Sequence, residues 1–414
     1  MSTTILIIGL MVFFAHFLSM KFRKTNIPDV LVLMLVGIVI GPLLGIVTSE
    51  DFGRIGSLIA TIALVVILFE GGTSLNLGVL GKSLGTTGLL AITCFVLTGI
   101  IVALIGFYAL HLALLPAILL GVTLGNTSSA VVIPMVSALH LSEKPATVLV
   151  LESALTDVLS IVGVFALLQI QTQGDVEPGK LVGSVLAALI FAAVIGVLGG
   201  IGWLLVLGKV RDFPNTISST LAYVFIVYGS TEMLGFSGAI AALALGVTLT
   251  NFEKFGLSRI SNIDQNLVPL NETDLAFYSE AVFLLKTYFF VYLGISIHFG
   301  DVLLAITAFI MVLMIYTMRL ILTRLIFSDS SYSLRDAAIT SIMAPKGLAA
   351  AVLATLPLEY GVVGGEVIRD VTYMVVLISI TLTALLVMVY PNRFVQLSYA
   401  RIFNKPVASQ ATDG

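Results

Sequence analysis

The sequence predicts an all-α polytopic membrane protein of about thirteen transmembrane helices, with inverted repeats and two broken helices, the fifth and the twelfth, that cross. Three observations carry this expectation. The composition is too apolar for a soluble domain. Stretches of about twenty apolar residues, each long enough to span a bilayer, recur along the chain. Two of those stretches are interrupted at mid-depth by residues that do not sit in a regular helix.

Of the 414 residues, 58% are hydrophobic and 10% charged, against about 25% charged in an ordinary soluble domain. Mean hydropathy is +1.13. A net charge of −3 offers no basic surface to a nucleic acid. One cysteine, Cys94, excludes a disulfide framework and a cysteine-based metal site. The four histidines, His16, His111, His140 and His298, lie far apart and suggest no metal cluster. No cofactor is expected.

Candidate spans fall near 3–20, 27–47, 55–75, 86–110, 114–138, 145–171, 181–207, 216–234, 237–251, 275–298, 302–327, 335–357 and 367–390. The division between the eighth and ninth rests on "LGFSG" at 234–238. The chain is apolar from its start, and the basic run "KFRK" (Lys21 to Lys24) follows the first span instead of preceding it. That order is wrong for a signal peptide and fits a first span whose N-terminus is outside. Alternating the loops then places fourteen Lys and Arg on the cytoplasmic side, against Arg54, Lys180 and Arg369 outside. Such an excess obeys the positive-inside rule. The expected location is the plasma or inner membrane, multi-pass, with the C-terminus cytoplasmic.

The fifth span contains "GNTSSAVVIP" (125–134), with Gly125, Asn126, Thr127, Ser128 and Ser129 at mid-span. The twelfth contains "MAPKGLAAAV" (343–352), with Pro345, Lys346 and Gly347 at mid-span. Proline removes a backbone donor and clashes with the preceding turn. Either break alone reads equally well as a harmless kink. The two lie seven spans apart, so their helices run in opposite directions. Matching interruptions in oppositely oriented halves mark the inverted repeats of secondary transporters, whose half-helices form the ion site.

Three cations, Lys286, Arg319 and Lys346, remain within spans, and together with Glu70, Glu152 and Asp157 they are the ionisable residues that need explaining. Each is costly there and is by default functional. Glu152 lies roughly 10 Å from the cytoplasmic end of the sixth span and Asp157 roughly 18 Å, near the midplane. Arg319 lies roughly 10 Å from the cytoplasmic end of the eleventh span, at the depth of Glu152 and with opposite charge. These two are expected to form a structural ion pair. Asp157, about 140° round its helix from Glu152, has no evident partner at its level. Ser153, one turn before it on the same face, offers a hydroxyl oxygen.

"LFEGG" (68–72), "ESALTD" (152–157), "GFSGAIAALALGVTLTN" (235–251), "FFVYLGISI" (289–297) and "APKGLAAAVLA" (344–354) resemble motifs of the monovalent cation:proton antiporters, NhaP-like branch. The resemblance covers nearly the whole chain, in order. "ESALTD" resembles the family's Glu-Ser-x-x-Asn-Asp motif. It implies that Asp157 binds a proton or a monovalent cation, Na⁺ or K⁺, that Ser153 is a cation ligand, and that Glu152 pairs with Arg319. With the broken fifth span it adds Thr127, Ser128, Ser129 and Thr156 to the expected cation ligands. It implies a homodimer in the lipid bilayer with one transmembrane domain, 1–404, and a short tail, 405–414. Core helices would occupy about 86–171 and 302–390, dimerisation helices about 3–75 and 216–298, and a linker helix 181–207. Three departures stand out. Thr156 replaces the motif's Asn. The break reads Thr127, Ser128, Ser129 where the family has Thr-Asp-Pro, so a second carboxylate is missing at Ser128. Lys346-Gly347 replaces Arg-Gly. With fewer formal charges the site would hold its ion more by hydroxyls and carbonyls, which suits the weakly hydrated K⁺.

The expected function is exchange of a monovalent cation for H⁺ by alternating access, electroneutral and 1:1, at Asp157. It is not an enzyme: an intramembrane aspartic protease needs a second aspartate, and Asp157 has no membrane aspartate as its mate. A potassium channel needs a carbonyl filter of the TVGYG type, which is absent from the sequence. The alternative that stands is a transporter of a small organic solute on the same architecture. For Asp157 the competing reading is a structural carboxylate bonded to Ser153 or Thr156. Glu70 reads as a cation-entry residue or as a snorkelling, helix-packing one. Lys286, at a depth near that of Asp157, reads as a pathway residue or a snorkelling cation. Lys346 is expected to neutralise half-helix C-terminal dipoles at the crossing.

Overall fold

The computed structural model describes residues 9–10, 12–17, 20, 28–48, 51, 53–74, 77–139, 141–173, 178–211, 216–255, 270–327 and 332–406. Most of the expected first span, the basic run at 21–24, His140, and the tail beyond 406 lie outside these residues. Everything regular among the described residues is helical. In chain order the helices are α1 (Asp29–Ile38, continued by a π turn Val39–Leu43), α2 (Gly53–Ser74), α3 (Leu77–Tyr108), α4 (Leu114–Thr123) and α5 (Ser129–Ala138). Next come α6 (Glu143–Gln173), α7 (Pro178–Val210), α8 (Ser219–Met233), α9 (Gly238–Thr250), α10 (Glu272–Ile295) and α11 (Val302–Ile326). The chain continues as α12 (Leu334–Ile342), α13 (Leu348–Leu353), α14 (Leu356–Glu359), α15 (Gly365–Val389) and α16 (Arg393–Phe403).

Six stretches among the described residues are long and apolar enough to cross a membrane, lying in α3, α6, α7, α10, α11 and α15. Shorter apolar helices lie at Asp29–Leu43, Thr61–Thr73, Leu114–Thr123, Gly238–Thr250 and Leu348–Glu359. The fifth and twelfth expected spans fall in the shorter class because each is cut in two. α4 ends at Thr123 and α5 restarts at Ser129; α12 ends at Ile342 and α13 restarts at Leu348. The second stop is dictated locally. Pro345 has no N–H to continue the helix, and it forces the residue before it, Ala344, away from helical angles. The start of α12 is equally local: Ser333 and Asp336 cap each other's backbone N–H in a capping box.

The chain divides into two compact units. The first holds residues 1–49, 83–160 and 290–414; the second holds 50–82 and 161–289. Within the first unit α1 packs on the end of α10 through glycines. A Cβ on Gly37 would lie 2.2 Å from the Val291 carbonyl oxygen, and one on Gly294 would lie 2.2 Å from that of Met34. Where no hydrophobic force drives helices together, such small residues let backbones approach. α4 and α3 meet in the same way at Gly121 and Gly99. α15 ties to α11 through the Tyr316 hydroxyl, which donates to the Ser379 carbonyl at 2.8 Å. α16 is amphipathic, and its Phe403 seals a cluster with Leu90, Val148, Phe327 and Leu334.

The second unit is built on α2, α7, α8, α9 and the first part of α10 around Phe69, Trp203, Val224, Leu245 and Tyr278. A Cβ on Gly72 would lie 2.3 Å from the Leu243 carbonyl oxygen, and one on Gly246 would lie 2.3 Å from that of Phe69. The Thr250 hydroxyl donates to the Thr73 carbonyl at 2.7 Å, and the Asn251 side chain accepts from the N–H of Leu77 at 2.9 Å.

Candidate functional site

Glu152 and Asp157 share α6 but not surroundings. Glu152 has 0% of its surface exposed, and Arg319, from α11, has 2%. The guanidinium meets both carboxylate oxygens, Nη1 with Oε1, and Nη2 with Oε2 at 2.8 Å. Arg319 Nε also donates to the Thr340 carbonyl on α12 at 2.9 Å, and Nη1 faces Cys94 Sγ of α3 at 3.8 Å. One side chain thus ties four helices at a common depth. Two-pronged pairing of this kind fixes geometry as well as charge, which buried charges require.

Asp157 keeps partial exposure and faces the break between α4 and α5. The Asn126 amide nitrogen donates to its Oδ1 at 2.6 Å, and the Ser129 hydroxyl donates to its Oδ2 at 2.6 Å. Ser129 is the first residue of α5, so the carboxylate lies at that helix's N-terminal end. A helix N-terminus carries unpaired N–H groups and a partial positive charge. On the other side of the break, the Lys346 ammonium donates to the Asn126 carbonyl oxygen at 2.5 Å, just beyond the C-terminal end of α4. Each dipole end of the broken helix therefore meets the opposite formal charge.

The two breaks touch. The N–H of Ser128 donates to the Pro345 carbonyl at 2.8 Å. A Cβ on Gly347 would lie 2.0 Å from the Ser128 hydroxyl oxygen, so only glycine fits there. The N–H of Lys346 donates to the Ser379 hydroxyl of α15 at 3.0 Å. Thr156 braces the first break, accepting from the N–H of Thr127 at 3.0 Å while donating to the Glu152 carbonyl at 2.9 Å.

Among the residues expected from the sequence, Asp157, Glu152, Ser153, Thr127, Ser128, Thr156, Arg319 and Lys346 all fall in the first unit. Ser153 is fully buried and donates to the Val150 carbonyl at 2.9 Å. The hydroxyl of Ser128 lies against Gly347. Glu70 and Lys286 belong to the second unit, on α2 and α10, where their charges attract one another; the Lys286 ammonium lies 5.9 Å from the Phe283 ring centre. Sequence reading did not single out Asn126 as a partner of Asp157. The signal available was an amide at mid-span in a break, but side chains in a break do not follow helical periodicity, so spacing could not aim it.

An all-helical bundle with two broken helices that meet at their breaks, and a carboxylate beside them, is the architecture in which secondary transporters build their ion sites. A family model described as "Sodium/hydrogen exchanger, transmembrane" matches residues 9–388, and the chain belongs to that family. It is 25% identical over 378 residues to the K(+)/H(+) antiporter NhaP2 of Shewanella sp. (strain ANA-3), covering 88% of this chain and 62% of that one. It is 26% identical over 305 residues to the Na(+)/H(+) antiporter NhaS2 of Synechocystis sp., covering 73% and 53%. This chain thus spans about three fifths or less of those relatives' length. The structure of the sodium proton antiporter MjNhaP1 from Methanocaldococcus jannaschii superposes with a TM-score of 0.70 at 22% identity, covering 92% of this chain and 99% of that one. That likeness establishes the fold. The relatives named are transporters and not enzymes, and they leave the organic-solute alternative without support.

Proposed function

We propose that this chain exchanges a monovalent cation, Na⁺ or K⁺, for H⁺ across the membrane by alternating access, with Asp157 holding either ion. The observation that carries the reading is the placement of Asp157. Asp157 is partly exposed, and its carboxylate sits at the break of a crossed helix pair, bonded by neutral donors from Asn126 and Ser129. Glu152, by contrast, is closed off by Arg319. One carboxylate that can hold a proton or a cation, but not both, couples the two fluxes. With Glu152 tied to an arginine, which does not deprotonate in proteins, the exchange is one proton for one cation and electroneutral. The relatives' names point to the same substrates.

In this reading Ser153, Thr127, Ser128 and Thr156 complete or brace the cation site, and Lys346 neutralises the end of α4. Glu70 and Lys286 line the pathway. Core helices at about 86–171 and 302–390 carry the ion, scaffold helices at about 3–75 and 216–298 form a homodimer, and 181–207 links them. The N-terminus lies outside and the C-terminus in the cytoplasm of a cell or inner membrane, as the fourteen cytoplasmic Lys and Arg favour. The test is flux in proteoliposomes containing a pH dye. Adding Na⁺ or K⁺ outside should alkalinise the lumen, and an impermeant cation should not. Equal responses to all three would overturn the assignment.

A further inference from the structure

Among the described residues, the formal charges around the crossing are those of Glu152, Asp157, Arg319 and Lys346. They sum to zero, and Asp157 is the one carboxylate not engaged by an arginine. A cation arriving at Asp157 must therefore find further ligands among neutral oxygens. Asn126 has 0% of its surface exposed, and its side-chain oxygen, buried, has no hydrogen-bond partner. Buried acceptors without a donor are rare and call for an explanation. A hydroxyl can rotate to satisfy itself; a carboxamide oxygen carries no hydrogen and is satisfied only by a donor or a cation.

Geometry puts that oxygen within reach. From standard C=O and C–N lengths, the nitrogen and oxygen of one carboxamide lie about 2.3 Å apart. The nitrogen is 2.6 Å from Asp157 Oδ1, so the Asn126 oxygen lies at most about 4.9 Å from it. Calcium, close to Na⁺ in radius, takes oxygen ligands at about 2.3–2.6 Å, so two oxygens on one such ion lie at most about 4.6–5.2 Å apart. For a larger K⁺ that limit is longer still, so the pair of oxygens lies within reach of either ion. The backbone of Asn126 is fixed meanwhile, because its carbonyl holds the Lys346 ammonium. Only the carboxamide is left to adjust.

We propose that the Asn126 side-chain oxygen ligates the transported cation together with Asp157, and that this neutral ligand sets the preference of the site for K⁺ over Na⁺. The proposal rests on the reading of Asp157 as the ion-binding carboxylate. A neutral amide oxygen repays less of the cost of dehydrating a cation than a carboxylate does. K⁺ surrenders its water more readily than Na⁺, and the nearby Lys346 ammonium adds to the advantage of the ion that needs the weaker field.

The test compares wild type, Asn126→Ala and Asn126→Asp in proteoliposomes with K⁺ and Na⁺ as separate substrates, and Asp157→Asn in parallel. Wild type should show a lower KM for K⁺ than for Na⁺. Asn126→Ala should raise the K⁺ KM about tenfold, as loss of metal-site partners does, while lowering kcat far less. Asn126→Asp, which adds a second carboxylate, should reverse the preference in favour of Na⁺. Cation-dependent thermal stabilisation of the purified proteins reads the same affinities should a variant fold but not transport. A merely structural role would lower stability or kcat without moving the ratio of K⁺ to Na⁺ affinity. An unchanged ratio in both Asn126 variants overturns the proposal, whereas exchange surviving in Asp157→Asn overturns the reading beneath it.

Discussion

Arg319 of α11 and Glu152 of α6 bond through both terminal guanidinium nitrogens and both carboxylate oxygens, with 2% and 0% of their surfaces exposed. Removing one partner strands a buried charge, at a cost of about 3–5 kcal/mol. Glu152→Ala and Arg319→Ala should each lower thermal stability in detergent by that order. The double variant should lose clearly less than the sum, because neither charge is then stranded. Additive losses would mean that the pair carries no coupling.

The contact between the breaks makes a sharper structural prediction. A Cβ on Gly347 would lie 2.0 Å from Ser128 Oγ and 2.6 Å from Ser128 Cβ, but 3.8 Å from its Cα. Gly347→Ala should therefore cost at least the ~1–3 kcal/mol of an overpacked core and should impair exchange. Adding Ser128→Ala should not restore it, since the Cβ remains. Adding Ser128→Gly should restore most of it. Stability and flux of the three variants decide the matter, and rescue by alanine would contradict the crossing.

Competition for one carboxylate fixes the sign of the pH dependence. As pH rises, fewer protons occupy Asp157, so the cation KM should fall, by up to about tenfold per pH unit while one proton competes. The fall should level off once the site is deprotonated. A KM independent of pH between the acid and alkaline limits of activity would mean that proton and cation use different sites.

One proton for one monovalent cation moves no net charge. A cation jump on protein-loaded membranes held on a solid support should then give no sustained current, in wild type or in Lys286→Gln. A current in wild type that disappears in Lys286→Gln would overturn electroneutrality and place that lysine in the exchange.

The fold class was legible because bilayer thickness imposes a length on apolar segments, and because Pro345 and the polar run at 125–129 interrupt two of them. Glu152 and Arg319 could be matched because helix rise converts sequence position into depth. The immediate partners of Asp157 were harder to read. Asn126 precedes the expected ligands Thr127, Ser128 and Ser129, and within a break neighbouring side chains diverge without a fixed period. Ser128 turns to Gly347 while Ser129, one residue on, turns to Asp157. The motif position puts Thr156 among the expected cation ligands; in the structure its hydroxyl is engaged by the N–H of Thr127 and the carbonyl of Glu152, a bond network that a motif cannot reveal.

The central claim is that Asp157 carries the exchanged ion. Asp157→Asn keeps the shape and can still bond Asn126 and Ser129, yet it can neither hold a proton nor balance a cation. Reconstituted in proteoliposomes, this variant should run as wild type does on size exclusion and show no Na⁺- or K⁺-driven proton flux. Flux retained at a substantial fraction of wild type would contradict the account.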